Sequence, residues 1–214
     1  MPDQRSVPWP IVLTPMAWAV GGLVVGLVTK WADESGIDWL GDLGTGLGVW
    51  IVATVLIGRV ARGWRSAAVA AVGFFAAMLI GYYAYTVVIL GYPVDRPTVA
   101  GWLVLALLAC PLLAAIVAWA RQRPGIAAVV HGLAAAGVMS VGYFAIGWQE
   151  IVGGMEDIGA DHRLDALLTT VMALAIVGLV GRFRWALVAA IVAAVTYLPI
   201  DLVLTEVMWR LPML

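Results

Sequence analysis

Two ionisable side chains lie inside long apolar runs of this chain and need a reason to be there. Lys30, the only lysine, closes the first run, and Asp201 follows Pro199 in the last. A charge placed in an apolar medium is costly and marks a functional site by default. Both residues fall toward the same end of their runs. One expectation is that they pair, or that they hold opposite ends of a zwitterionic ligand. The plainer alternative is that Lys30 snorkels to headgroups and Asp201 meets water. Tyr82, Tyr85, Tyr143 and Tyr197 share that end, and with Lys30 and Asp201 they make up the expected ligand-binding set. The alternative for the tyrosines is packing and the interfacial aromatic belt.

Catalytic chemistry finds little to use. The two histidines, His131 and His162, fall toward opposite ends of the apolar runs, too far apart to share a metal or a haem. Cys110, the one cysteine, excludes an internal disulfide and any multi-cysteine metal site. It lies before Pro111 within an apolar run and reads as a small core residue. Glu156, Asp157, Asp161 and Asp165 are spaced by glycines in a way that matches no EF-hand. A phosphate-binding loop, a nucleophile elbow and a lysine in the last run for a retinal Schiff base are all missing. No enzyme, cofactor or resident metal is expected.

The elements that must position these residues follow from composition. Of the 214 residues, 64% are hydrophobic and only 12% are charged, and the mean hydropathy is +1.01. A soluble domain carries about a quarter charged residues, so this chain lacks the polar surface to face water all round. Its basic residues form only short clusters, which excludes a nucleic-acid interface. The expectation is one integral membrane domain over 1–214.

The charges sort into alternate gaps between apolar runs. Arg59, Arg62 and Arg65 share one gap, Arg121 and Arg123 another, and Arg182 and Arg184 a third. Asp33, Glu34, Asp38 and Asp42 share an intervening gap, Asp95 sits in the next, and Glu150, Glu156, Asp157, Asp161 and Asp165 sit in or beside the last. Basic loops that stay in the cytoplasm give this alternation in a polytopic helix protein. Taking about 20 apolar residues per crossing, seven crossings are expected at roughly 10–31, 40–60, 66–90, 99–120, 125–148, 164–181 and 185–207. The fold class is therefore all-α, a seven-crossing bundle with a cytoplasmic N-terminus and an external C-terminus. The first run is about 20 residues, longer than the apolar stretch of a signal peptide.

Small residues every fourth position mark close helix contacts in lipid. They recur as ridges: Trp18, Gly22, Gly26 and Lys30; Gly73, Ala77, Gly81 and Tyr85; Gly132, Ala136 and Ser140; Ala189, Ala193, Tyr197, Asp201 and Thr205. Three ridges lead from small residues to a polar or aromatic one, as in a bundle packed tightly at one end and opened at the other. Trp31, Trp39 and Trp148 fit an interfacial belt at that open end, and Trp64, Trp119 and Trp185 fit one at the other.

The segment Gly26-Leu-Val-Thr-Lys30-Trp31-Ala-Asp33-Glu34, with Trp39-Leu-Gly41-Asp42-Leu-Gly44, Trp50, Tyr82-Tyr83 and Trp102, resembles a domain-of-unknown-function family of small multi-spanning actinobacterial membrane proteins. That resemblance implies a bacterial plasma-membrane protein and no particular reaction. A looser similarity is to the substrate-binding membrane subunits of energy-coupling-factor vitamin transporters. It implies ligand binding from outside and a first span that docks a scaffold through Ala17-xxx-Gly21 or Gly22-xxx-Gly26. Those subunits have six spans against the seven expected here.

The leading expectation is a subunit that binds or transports a small solute through an outward-facing polar and aromatic cavity, with a small molecule or cation entering from outside. The second is a structural or accessory subunit that packs its glycine and alanine ridges against another membrane protein or a second copy. The direction of the ridges separates the two. Inward ridges around an open cavity favour binding, and a lipid-facing ridge over a filled core favours the accessory role.

Overall fold

The computed structural model describes residues 15–141, 144–153 and 162–210, and every regular element in them is helical. The helices are α1 Pro15–Asp33, α2 Asp38–Thr45, α3 Leu47–Val60, α4 Trp64–Ala84, α5 Arg96–Val104, α6 Cys110–Ala120, α7 Pro124–Met139, α8 Phe144–Gly153, α9 Arg163–Gly178 and α10 Phe183–Arg210. Two π-helical turns, Tyr85–Ile89 and Leu105–Ala109, continue α4 and join α5 to α6.

Among the described residues, three helical runs are long and apolar enough to cross a membrane: Trp64–Ile89, Arg96–Ala120 and Phe183–Val203. A fourth counts if α7 and α8, bent by 71°, form one broken span. The other expected crossings fall short for local reasons. The run at 40–60 is split at Gly46 into helices of 8 and 14 residues. Helix α9 has only 16 residues; of the run at 10–31, residues 10–14 lie outside the described residues, and α1 carries Lys30 and Asp33 in its last turns.

The arginine gaps converge on one end. The Arg59 Nε donates to the Leu179 carbonyl at 3.1 Å, and Arg121 Nη1 donates to the Arg59 and Ala61 carbonyls at 2.9 and 3.0 Å. These arginines cap the ends of α9 and α3, where carbonyls lack helical partners and positive charge is favoured. Arg65, Arg123 and Arg184 stand over Trp64, Trp119 and Trp185, with the guanidinium carbon 5.0, 4.2 and 5.4 Å from the ring centre. The tryptophan belt at this end is thus built of cation–aromatic pairs. Gly181 turns the chain with a φ of +78°, a conformation that residues with a Cβ seldom adopt.

Packing follows the small-residue ridges. On α1, Trp18 meets Phe74 edge-on with centroids 6.2 Å apart. A Cβ on Gly22 would lie 2.0 Å from the Phe74 carbonyl oxygen, and one on Gly26 would lie 2.0 Å from that of Met78. The Gly22–Gly26 ridge of α1 therefore seats against α4 and is covered by the chain's own helix. On α4, Gly81 makes the reciprocal approach: a Cβ there would lie 2.6 Å from the Leu23 carbonyl oxygen. The rest of the α4 contact runs through Phe74, Met78 and Tyr82, one register along from the expected Gly73–Ala77 line. On α7, a Cβ at Gly132 would lie 2.6 Å from the Ala189 carbonyl oxygen of α10, which joins the third and fourth ridges as a pair.

Candidate functional site

Lys30 ends the α1 ridge, and the helix geometry decides its partners. Asp33 and Glu34 lie three and four residues on, over the same face. The Lys30 ammonium donates to Asp33 Oδ2 at 2.8 Å and lies 2.5 Å from Glu34 Oε1. It also stands 5.0 Å over the Tyr82 ring, and the Tyr82 hydroxyl donates to the same Asp33 oxygen at 2.7 Å. Lys30 is only 6% exposed, so its charge is satisfied by this network rather than by water. Partial burial pushes the Asp33 carboxyl up. The hydrogen bonds from Lys30 and Tyr82, with the Lys30 charge, outweigh it and hold the group below its ordinary value.

The expected pairing of Lys30 with Asp201 is therefore replaced. The physical reason is proximity: two carboxylates on its own helical face reach Lys30 first, and α1 packs on α4 while α10 packs on α7 and α9.

A cavity of about 210 Å³ opens beside the network, between α1, α2, α3, α4, α5 and the turn that precedes α5. Its apolar wall is Trp50, Met78, Leu79 and Trp102. Trp50 stacks on Phe75 at 4.9 Å and lies 5.0 Å from Trp102, so the aromatic wall is held from behind. Its polar lining includes Thr29, Lys30, Tyr82 and Tyr83, with Thr86, Asp95 and Thr98. Asp95 is the N-cap of α5: its Oδ2 accepts from the Thr98 amide at 3.2 Å and from the Thr98 hydroxyl. The Thr86 hydroxyl donates to the Tyr82 carbonyl at 3.0 Å, at the π-helical turn that ends α4. Insertions of this kind frequently sit at functional sites.

Of the expected set, Lys30 and Tyr82 meet at this cavity. Tyr85 begins the π-helical turn and does not line it. Tyr197 packs edge-on against Phe144 at 5.5 Å, and its carbonyl accepts from the Ser140 hydroxyl at 3.3 Å. Asp201 is half-buried further along α10. Tyr143 lies outside the described residues, as do Glu156, Asp157 and Asp161. Trp50, Trp102, Tyr83 and Asp95 were not in the expected set. Trp50 carried a usable signal, because it lies too deep in its apolar run to serve an interfacial belt.

His131 is buried, with Nδ1 donating to the Ala127 carbonyl at 2.8 Å. Glu150 is buried too, and its Oε2 accepts from the His162 amide at 3.0 Å at the start of α9. No cluster of three metal-ligating side chains occurs among the described residues.

The fold and the cavity define a class: over its described residues, a helical protein with several membrane-length apolar helices and an aromatic-walled pocket near the acid-bearing turns. The chain matches, over residues 5–210, the model of DUF6518, a family of unknown function, and belongs to that family. No curated protein and no solved structure matches it.

Proposed function

We propose that this chain is a multi-pass bacterial plasma-membrane protein that binds a small solute in the cavity beside Lys30, from the external side, for uptake or sensing. The observation that carries this reading is the cavity itself. It joins a rigid aromatic wall to a few placed polar groups, the usual composition of a small-molecule site. Its volume of about 210 Å³ lies below the roughly 300–1,000 Å³ of drug-sized ligand pockets, which suits a small metabolite. The inward direction of the glycine ridges supports binding over the accessory alternative, since Gly22, Gly26, Gly81 and Gly132 all face helices of this chain.

The reading takes α1, α3 and α9 as further, short or charge-bearing crossings, seven in all, with the arginine turns in the cytoplasm, as the distribution of basic residues favours. Reporter fusions at Arg62, Arg123 and Arg182 should all stay cytoplasmic, and one external reporter overturns that topology. For binding, thermal unfolding of the detergent-solubilised chain against a chemically broad panel of small solutes is the direct test. At least one solute should raise Tm saturably, as a ligand selective for the folded state must. Thr98→Trp, which fills the cavity mouth, should abolish the shift. A panel that stabilises neither protein, or both equally, sinks the binding role.

A further inference from the structure

We infer that the occupant of this cavity is a small organic cation of the alkylammonium type. The inference rests on the solute-binding reading and adds the chemical class. Two features carry it: the sign of the charge around the cavity and the nature of its wall.

Lys30 is the one cation in the lining, and it is spent. Asp33 and Glu34 both pair with it, and the Tyr82 ring lies beneath it. The pair of carboxylates more than cancels its charge. Asp95 lines the cavity with no cation opposite it there, its Oδ2 engaged by Thr98 and a second oxygen left over. Asp33, Glu34 and Arg96 stand outside the lining itself, and the three carboxylates Asp33, Glu34 and Asp95 against the two cations Lys30 and Arg96 leave the surroundings net negative. An anion entering here would face that negative charge and would have to take Lys30 from two carboxylates. A cation needs no such exchange.

The wall agrees with the charge. Trp50, Trp102, Tyr82 and Tyr83 all line one small space; Trp50 is stacked on Phe75 and Tyr82 already carries Lys30, so Trp102 and Tyr83 are the rings left for a ligand. Aromatic faces attract a desolvated ammonium through the ring quadrupole, tryptophan most strongly, and such enclosures recognise quaternary ammonium groups. The chain already makes this contact beside the cavity, with the Lys30 ammonium 5.0 Å over Tyr82. Asp95 at the rim would meet the positive group, and Trp102 would cover it.

Isothermal titration of the full chain in detergent tests the class with three probes: choline, its neutral isostere 3,3-dimethylbutan-1-ol, and acetate. Choline should bind saturably and the isostere about fivefold more weakly or worse, the penalty expected for losing one desolvated cation–aromatic contact. Asp95→Asn keeps the helix cap, because asparagine caps as well as aspartate, yet should weaken choline severalfold. Trp102→Leu should do the same. If the isostere or acetate binds as well as choline, the cation class is wrong while the solute site stands. If both variants bind choline as the parent does, choline sits elsewhere and the inference fails. If choline does not bind at all, the inference also fails, and the broad panel then decides the solute-binding reading separately.

Discussion

Two helix pairs in this molecule are built alike and end differently. In α1–α4 and in α7–α10, glycine lets one helix approach the backbone of the other to within contact of a carbonyl oxygen. Each ridge then leads to a polar residue. In the second pair this is Ser140, whose hydroxyl donates to Ala136 at 2.9 Å and Tyr197 at 3.3 Å, both backbone carbonyls, under a Phe144–Tyr197 contact. In the first pair it is Lys30, which backbone carbonyls alone cannot neutralise. It draws in Asp33, Glu34 and Tyr82, and a cavity opens beside them. A hydroxyl ends a ridge by closing it. An ammonium ends a ridge by assembling a site, because burying it demands carboxylates and their own partners.

The largest effect should come from breaking the first pair at its closest approach. Gly26→Val places a Cβ 2.0 Å from a backbone oxygen, which no rotamer can relieve. We expect a loss of about 3 kcal/mol or more, the upper range for overpacking, read as failure to recover folded protein or a collapse of Tm. Gly132→Ala, with 2.6 Å to the Ala189 oxygen, should cost less. Gly101→Ala meets nothing within 4 Å and should be neutral or gain up to about 1 kcal/mol from helix propensity. Equal tolerance at Gly26 and Gly132 would erase the difference in closeness between the pairs.

These pairs also define what the residue pattern could reveal. The four-residue spacing of Gly22 and Gly26, and of Gly132 with Ala136, was enough to mark both contact faces, because close packing needs small residues at that period. The register of α4 was not legible, since Phe74 and Met78 contribute backbone there and their side-chain types carry no trace of it. The clustering of the arginine gaps at one end could be read directly from their alternation. The partner of Lys30 could not be found by matching depths along different runs. Asp33 and Glu34 stood in the sequence three and four residues away, and short-range helical geometry outcompetes a distant aspartate. Asp95 and Trp102 were hidden for another reason: which turn folds over which cavity depends on how α5 is placed, and the local pattern of α5 does not encode it.

Removing the charge that distinguishes the first pair should have a middle-sized effect. Lys30→Met leaves two carboxylates and the Tyr82 hydroxyl without their shared cation. The expected destabilisation is about 1–3 kcal/mol, typical of a buried polar network that loses one member. Asp201→Asn, at the corresponding end of the second pair, should stay within about 0.5 kcal/mol. Comparable losses in both variants would mean that the two ends are coupled after all, and would restore a role for Asp201.

The smallest effect should appear in acid. The Asp33 carboxyl titrates below its ordinary value of about 4. A folded-state value held below the unfolded one adds stability that is complete above about pH 4 and disappears as pH falls through the folded value. The contribution is modest, because Asp33 is about a third exposed and water screens its pairing. Thermal unfolding of the parent between pH 7 and pH 3 should therefore steepen at the acid end, and Asp33→Asn should flatten that limb by removing the titrating group. Asp201→Asn, from the other pair, should leave the limb as steep as in the parent. If Asp33→Asn and the parent lose stability in parallel, the acid response arises outside the Lys30 network, and the contrast between the two helix pairs has no electrostatic component.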